Sequence, residues 1–287
     1  MTTTVPSTVS LLADAPVFLD ATADLRDHAP VMTNMISTLA LGAASRGGSD
    51  ADSQWWLVEQ GSTVVGAACS TDGSLLTISP MSFSATAALA SAVAAHDLGL
   101  PGVAGPRTEV LALLVGLDDP REQVVLMDDV VHVLGDLAPA CGVEGGARAA
   151  TLDDVDLLVA WFAQFQLDAD VPPRADQLPS VMDRLDRGGM WLWEVDGRPV
   201  AMAGHAEVVH GRTEPSRAVA RIGPVYTPLE HRRHGYGAAV TSAVAEVLLA
   251  ARSSVMLYAD SHNRTSNGVY ERLGFRVTAR ALEVALR

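Results

Sequence analysis

Arg232, Arg233, Gly235 and Gly237 fall within six residues, in Arg232-Arg233-His234-Gly235-Tyr236-Gly237. Residue types of this kind at this spacing can hold an anion. Upstream, Ile222, Val225 and Tyr226 belong to a strand-like stretch. Downstream, residues 238–251 carry Val240, Val244, Val247 and Leu248 at helical spacing. A strand, a glycine-containing turn and a helix start bring backbone N–H groups and the positive end of a helix dipole to one place. Glycines without a Cβ let a ligand approach the backbone, and guanidinium groups suit phosphate oxygens. The three-glycine dinucleotide fingerprint and the Gly-Lys-Ser/Thr phosphate loop are both missing. A second polar cluster follows about thirty residues on: Asn263, Ser266, Asn267 and Tyr270, just before Gly274-Phe275.

Arg232-x-x-Gly235-x-Gly237 resembles the acyl-coenzyme A loop of the GNAT superfamily of N-acetyltransferases, Arg/Gln-x-x-Gly-x-Gly/Ala. Residues 223–228, Gly-Pro-Val-Tyr-Thr-Pro, resemble that family's central strand, which splays from its neighbour to admit the cofactor. Residues 263–275 resemble its later motif, Asn-x-x-(Ala/Ser)-x-x-(Leu/Val)-Tyr-x-x-x-Gly-Phe. The resemblance is specific over about 190–287. It implies acetyl-coenzyme A (acetyl-CoA) as cofactor, bound by Val225, Tyr226, Thr227, Arg232, Arg233, His234, Gly235, Tyr236, Gly237 and Ala238, with Asn263, Ser266, Asn267 and Tyr270 alongside. The implied reaction is acetyl transfer to a primary amine of a small molecule or protein, by direct attack in a ternary complex.

Each role has a structural alternative. Tyr270 is the candidate general acid for the departing thiolate; it also fits a core tyrosine beside Val269 and Leu273. Asn263 reads as a pantetheine contact or as the N-cap of the next helix. The family's strand glutamate has no counterpart, since Arg221 stands on the strand without an acid. His205, Glu194 and Asp260 are the remaining options for a base. His231-x-x-His234 lacks further ligands, so no metal is expected. Gln166-Leu167-Asp168-Ala169-Asp170 offers two acids for a cationic acceptor, or forms a solvated loop. A non-catalytic acyl-CoA binding or sensing protein is the competing reading.

The chain of 287 residues has a formal charge of -14, and all twenty basic residues are arginine. Residues 1–140 hold four arginines against sixteen acids; residues 141–287 hold sixteen against eighteen. An acidic chain is a poor nucleic-acid binder. The arginines gather in the half that would hold an anionic cofactor. No apolar run is long enough to span a membrane. Two distant cysteines and the lack of a signal-peptide pattern point to the cytoplasm.

The elements that must position these residues repeat. In the first half, residues 1–15 read as a loose tail and 17–42 as helix broken at Ala29-Pro30. A hairpin (54–59, 63–69), a strand near 75–78, a helix from 84 to 97, a strand at 102–105 and a helix at 108–115 follow. Residues 123–134 read as a closing strand pair. Residues 136–146 read as a linker. In the second half come helices ending near 165 and 187, a hairpin (190–195, 199–205), the central strand, the loop, a long helix, a strand, a helix and a final strand at 276–286. Internal duplication explains the match. The expected fold class is α/β (α+β): two tandem GNAT-like domains, 1–140 and 141–287, each a mixed, mostly antiparallel central sheet flanked by helices. Residues 78–84 of the first half carry no arginine and no glycine pair, so that repeat is read as degenerate.

Overall fold

The computed structural model describes residues 6–47, 53–71, 73–96, 99–169, 176–212 and 218–287. In chain order the first half gives β1 (Ser7–Leu12), α1 (Ala15–Ala21), α2 (Ala23–His28), α3 (Asn34–Ser45), β2 (Gln54–Gln60), β3 (Thr63–Ser70), β4 (Leu76–Ile78), α4 (Phe83–Ala95), β5 (Gly102–Pro106), α5 (Arg107–Leu117) and β6 (Gln123–Leu134). The second half gives β7 (Gly146–Ala149), α6 (Val155–Asp168), α7 (Leu178–Asp186), β8 (Met190–Val195), β9 (Arg198–His205), β10 (Ala218–Tyr226), α8 (Tyr236–Ala250), β11 (Ser253–Asp260), α9 (Arg264–Arg272) and β12 (Phe275–Leu286). The class is mixed α/β, as the patterning predicts.

Two compact units form. One holds residues 1–129, 209–217 and 279–287; the other holds 130–208 and 218–278. β6 and β12 are each 12 residues long, and each begins in one unit and ends in the other.

In the first unit the strands run β1-β2-β3-β4-β5, followed by the end of β12. β1 to β4 are antiparallel neighbours and β4–β5 is parallel. Residues 281–285 pair antiparallel with β5. Strand alternation places Trp55 and Trp56 on opposite faces, each 1% exposed. Trp55 packs with Phe18, Ile36 and Ala40 of α1 and α3. Trp56 packs with Leu89, Val93, Val110 and Leu113 of α4 and α5. Each ring removes on the order of 200 Å² from water. At about 25 cal/mol/Å² that is roughly 5 kcal/mol apiece. The expected tail is corrected here: Ser7–Leu12 pairs along β2, and its Val9 and Leu12 pack against the two cores on either face of the sheet. The expected break at Ala29-Pro30 falls between α2 and α3.

The second unit repeats the order, β7-β8-β9-β10-β11, then the end of β6. Neighbours are antiparallel from β7 to β10, and β10–β11 is parallel. α8 packs Val240, Val244 and Leu248 onto Ala201, Ala203 and Val255. α6 and α7 pack Leu158, Phe162 and Val181 onto Met190, Leu192 and Met202. The capping box at Thr151 and Asp154 forms as the sequence predicts. Residues 123–134 are one continuous strand rather than a strand pair, since no glycine or proline interrupts Val124 to Leu134. The expected linker is pinned at its start. Ala138 N–H donates to Leu273 O at 3.0 Å, and a Cβ on Gly274 (φ +97°) would lie 2.0 Å from Asp136 O.

Candidate functional site

β10 lies beside β11 only part of the way. Their parallel ladder runs from Ala218–Ser253 to Ile222–Leu257, while β10 continues to Tyr226 and β11 to Asp260. Pro224 has no N–H to donate, and the register against β9 shifts between Ile222 and Val225. Pairing with β9 resumes at Val225–Ala203 and Tyr226–Met202. The side of Gly223–Tyr226 that faced β11 is thereby released.

The chain then makes a short 3-10 turn at Leu229–His231 and enters α8. Arg233 has φ +70° and Gly235 φ +87°, so the loop is held in a conformation that costs a non-glycine residue of order 1 kcal/mol or more. No side chain caps α8, whose N-cap is Gly235. The N–H groups of Tyr236, Gly237 and Ala238 therefore have no helical acceptor and face outward from the loop end. A Cβ on Gly235 would come within 3.1 Å of Val143, and one on Gly237 within 3.2 Å of Thr227 Oγ1. His234 stacks on Tyr236 with centroids 5.4 Å apart, and its Nδ1 lies 2.9 Å from Arg232 O.

Arg232 is already engaged. Its Nε donates to Thr227 O at 3.0 Å, and Nη2 meets Asp168 Oδ2 at 2.5 Å. The same carboxylate accepts from Gln164 Nε2 at 2.7 Å and from the Tyr226 hydroxyl at 3.4 Å. The Gln164 hydrogen bond, then Arg232, hold the Asp168 carboxyl below its ordinary range. Burial, then Asp168, push the Tyr226 phenol up. Around them is a cavity of about 610 Å³, lined by Trp161, Gln164, Asp168, Tyr226, Glu230 and Arg232 among others. Trp161, Gln164 and Asp168 lie at i, i+3 and i+7 on α6, one face of the helix. That spacing was available in the sequence and singles out Trp161 and Gln164, which the motifs do not reach. Asp170, the second expected acid, lies outside the described residues.

α9 starts at Asn263, whose Oδ1 accepts from Ser266 N at 3.0 Å. The capping alternative for Asn263 is thus realised, with its amide nitrogen left over. Asn267 donates Nδ2 to Asp260 O at 2.9 Å. Its Oδ1 lies 2.9 Å from His132 Nε2, so that nitrogen carries the proton. His132 is fully buried, and its Nδ1 has no hydrogen-bond partner among the described residues. The ring meets Tyr270 edge-on, with centroids 5.8 Å apart. Tyr270 also packs against Phe275 at 6.0 Å, and its hydroxyl makes no hydrogen bond among the described residues. Burial pushes its pKa up to about 12. His132 is a functional candidate that no local pattern could reveal, standing 135 residues from its partner.

The expected bases fare unevenly. Glu194 binds Arg148 Nε at 2.7 Å, and Arg148 also grips Asp154. His205 is half-buried, its Nδ1 lies 2.8 Å from Ala206 O, and burial lowers its pKa. Asp260 Oδ1 accepts from His262 N at 2.9 Å. Arg221 lies over the Tyr258 ring at 5.9 Å.

In the first unit the corresponding strands stay closed. A Cβ on Gly105 of β5 would fall 2.6 Å from Ile78 O, at the end of β4. α4 is capped by Ser82, whose hydroxyl accepts from Ala85 N.

Comparison with solved structures shows where this fold recurs. A GNAT-family acetyltransferase from Colwellia psychrerythraea superposes with a TM-score of 0.59 at 10% identity, over 98% of this chain and 100% of its own. The protein has the GNAT fold. A GCN5-related N-acetyltransferase from Sphaerobacter thermophilus gives 0.57 at 16% identity, over 96% of this chain and 94% of its own. A tandem GNAT protein from the clavulanic acid biosynthesis pathway gives 0.56 at 15%, over 97% of both chains. Residues 206–284 of this GNAT-fold chain match the family described as FR47-like protein. No curated protein matches it.

Proposed function

We propose that the chain is an acetyl-CoA-dependent N-acetyltransferase acting on a primary amine of a small molecule or peptide. The observation that carries this is the opening of β10 from β11 beyond Ile222–Leu257, leading straight to the uncapped start of α8. The backbone edge of β10 at Val225, continuing to the N–H of Thr227, suits the amide groups of a pantetheine arm. The N–H groups at 236–238, with Arg232 and Arg233, suit a pyrophosphate. Acetyl-CoA would supply an activated acetyl thioester. The amine nitrogen forms a bond to the carbonyl carbon, the carbon–sulfur bond breaks, and the thiolate takes a proton. Tyr270 is the group proposed to give that proton, since a phenol with a raised pKa stays protonated at neutral pH. The backbone edge of β10 is proposed to polarise the carbonyl oxygen. The amine must arrive neutral, since Glu194 is committed to Arg148; after attack its nitrogen sheds a proton to water, and a proton from water restores Tyr270.

Two repeats, 1–140 and 141–287, form the proposed domain plan, with the cofactor in the second alone. The closed β4–β5 pair and the Ser82 cap in the first unit support that asymmetry. The proposed setting is the cytoplasm. Among the described residues no helix is long and apolar enough to cross a membrane.

A second reading, a non-catalytic acyl-CoA sensor, is favoured by one observation: β10 carries Arg221 and no acid. Turnover separates the two. Thiol release from acetyl-CoA over a panel of amines is expected; saturable binding without release would make the protein a sensor. Failure to bind acetyl-CoA would overturn both.

A further inference from the structure

Asp168 is the last residue of α6, where the negative end of the helix dipole disfavours a carboxylate. It stays ionised because Gln164, Arg232 and Tyr226 all donate to it. Arg232 is thus shared between two sites. Its position three residues before the α8 cap suits it to a phosphate, and its present partner is the carboxylate in the 610 Å³ cavity. The pair is partly exposed, with side chains 42% and 29% accessible. Such a pair is weak and readily exchanged.

We propose that this cavity is the acceptor subsite for a diamine, and that cofactor binding opens it by drawing Arg232 off Asp168. The inference rests on the reading of residues 232–238 as a pyrophosphate site. A dianionic pyrophosphate beside the start of α8 outcompetes one carboxylate for the guanidinium. Asp168 is then left at a helix C-terminus without its cation, with Glu230 in the same cavity lining. Two carboxylates favour a positive charge there. Trp161 and Tyr226, edge-to-face at 6.2 Å, offer ring faces for an ammonium and its methylene stem. An ammonium has no lone pair, so the charge held at Asp168 is not the nitrogen that is acylated. The acceptor therefore carries a second amino group.

Calorimetry with coenzyme A and 1,5-diaminopentane tests this on the full chain. Asp168→Asn frees Arg232 beforehand, so coenzyme A should bind about two- to fivefold tighter than to wild type, the range expected of an exposed pair. Glu230→Gln removes a charge from the same cavity without touching Arg232 and should change coenzyme A affinity less. Diaminopentane should bind the coenzyme A complex several-fold tighter than the free protein. Pentylamine, with one amino group, should lack that gain, and so should Asp168→Asn. Coenzyme A affinity unchanged in Asp168→Asn, or equally raised in Glu230→Gln, overturns the exchange. Diaminopentane binding that ignores coenzyme A, or is absent with and without it, overturns the subsite. A wild-type chain that does not bind coenzyme A refutes the cofactor reading instead.

Discussion

A phenol whose pKa lies at about 12 keeps its proton throughout the range in which an enzyme works. If Tyr270 gives that proton to a thiolate, Tyr270→Phe should lower turnover by about 10²–10⁴-fold. Coenzyme A affinity should barely change, and a binding titration beside steady-state kinetics decides it. Full turnover would make Tyr270 a packing residue against His132 and Phe275. The raised pKa also has a sign for stability. The unfolded phenol ionises near its ordinary value of 10.0 and the folded one near 12, because burial disfavours the phenolate in the folded state alone. The stabilisation is complete below pH 10 and is lost as pH rises towards 12. Melting curves over that window should fall more steeply for wild type than for Tyr270→Phe. The place of Tyr270 was legible because Asn263 to Phe275 is one local pattern. Its neighbour His132 was not, because only the sheet brings β6 beside α9. Asn263 was legible as two alternatives, and the hydrogen bond to Ser266 N realises the capping one.

The starts of α4 and α8 are built oppositely, and the difference can be measured. Ser82→Ala removes the α4 cap and should cost about 1 kcal/mol in thermal or urea unfolding. It should leave coenzyme A affinity untouched. Gly235→Ala puts a Cβ at φ +87°, 3.1 Å from Val143. The left-handed conformation alone costs roughly 1–2 kcal/mol. Stability should fall and coenzyme A should bind more weakly, with Gly235→Val worse on both counts. Undiminished affinity in a folded Gly235 variant would remove the loop from the site. Elements were readable wherever apolar spacing was long: both tryptophan hairpins, α4, α8 and β11. The sequence misled where a strand lies at a sheet edge, as Ser7–Leu12 does. It also misled where a strand is unusually long, as at 123–134. Spacing along a chain reports which face an element buries, and says little about how many partners it serves.

At the level of the molecule, the two units share a strand order and differ at one crevice. Calorimetry should return one coenzyme A per chain. Two equivalent sites would contradict the closed β4–β5 pair. The first unit still has work to do, because each unit is finished by a strand end that comes from the other half of the chain. Residues 281–285, near the end of the chain, line β5, while β6, from its first half, adjoins β11. Nicking the backbone at residues 139–142 would therefore not yield two independent proteins. Each fragment would carry the piece that finishes the other's sheet. The halves should behave as complementing fragments, inert or aggregating apart and restored on mixing.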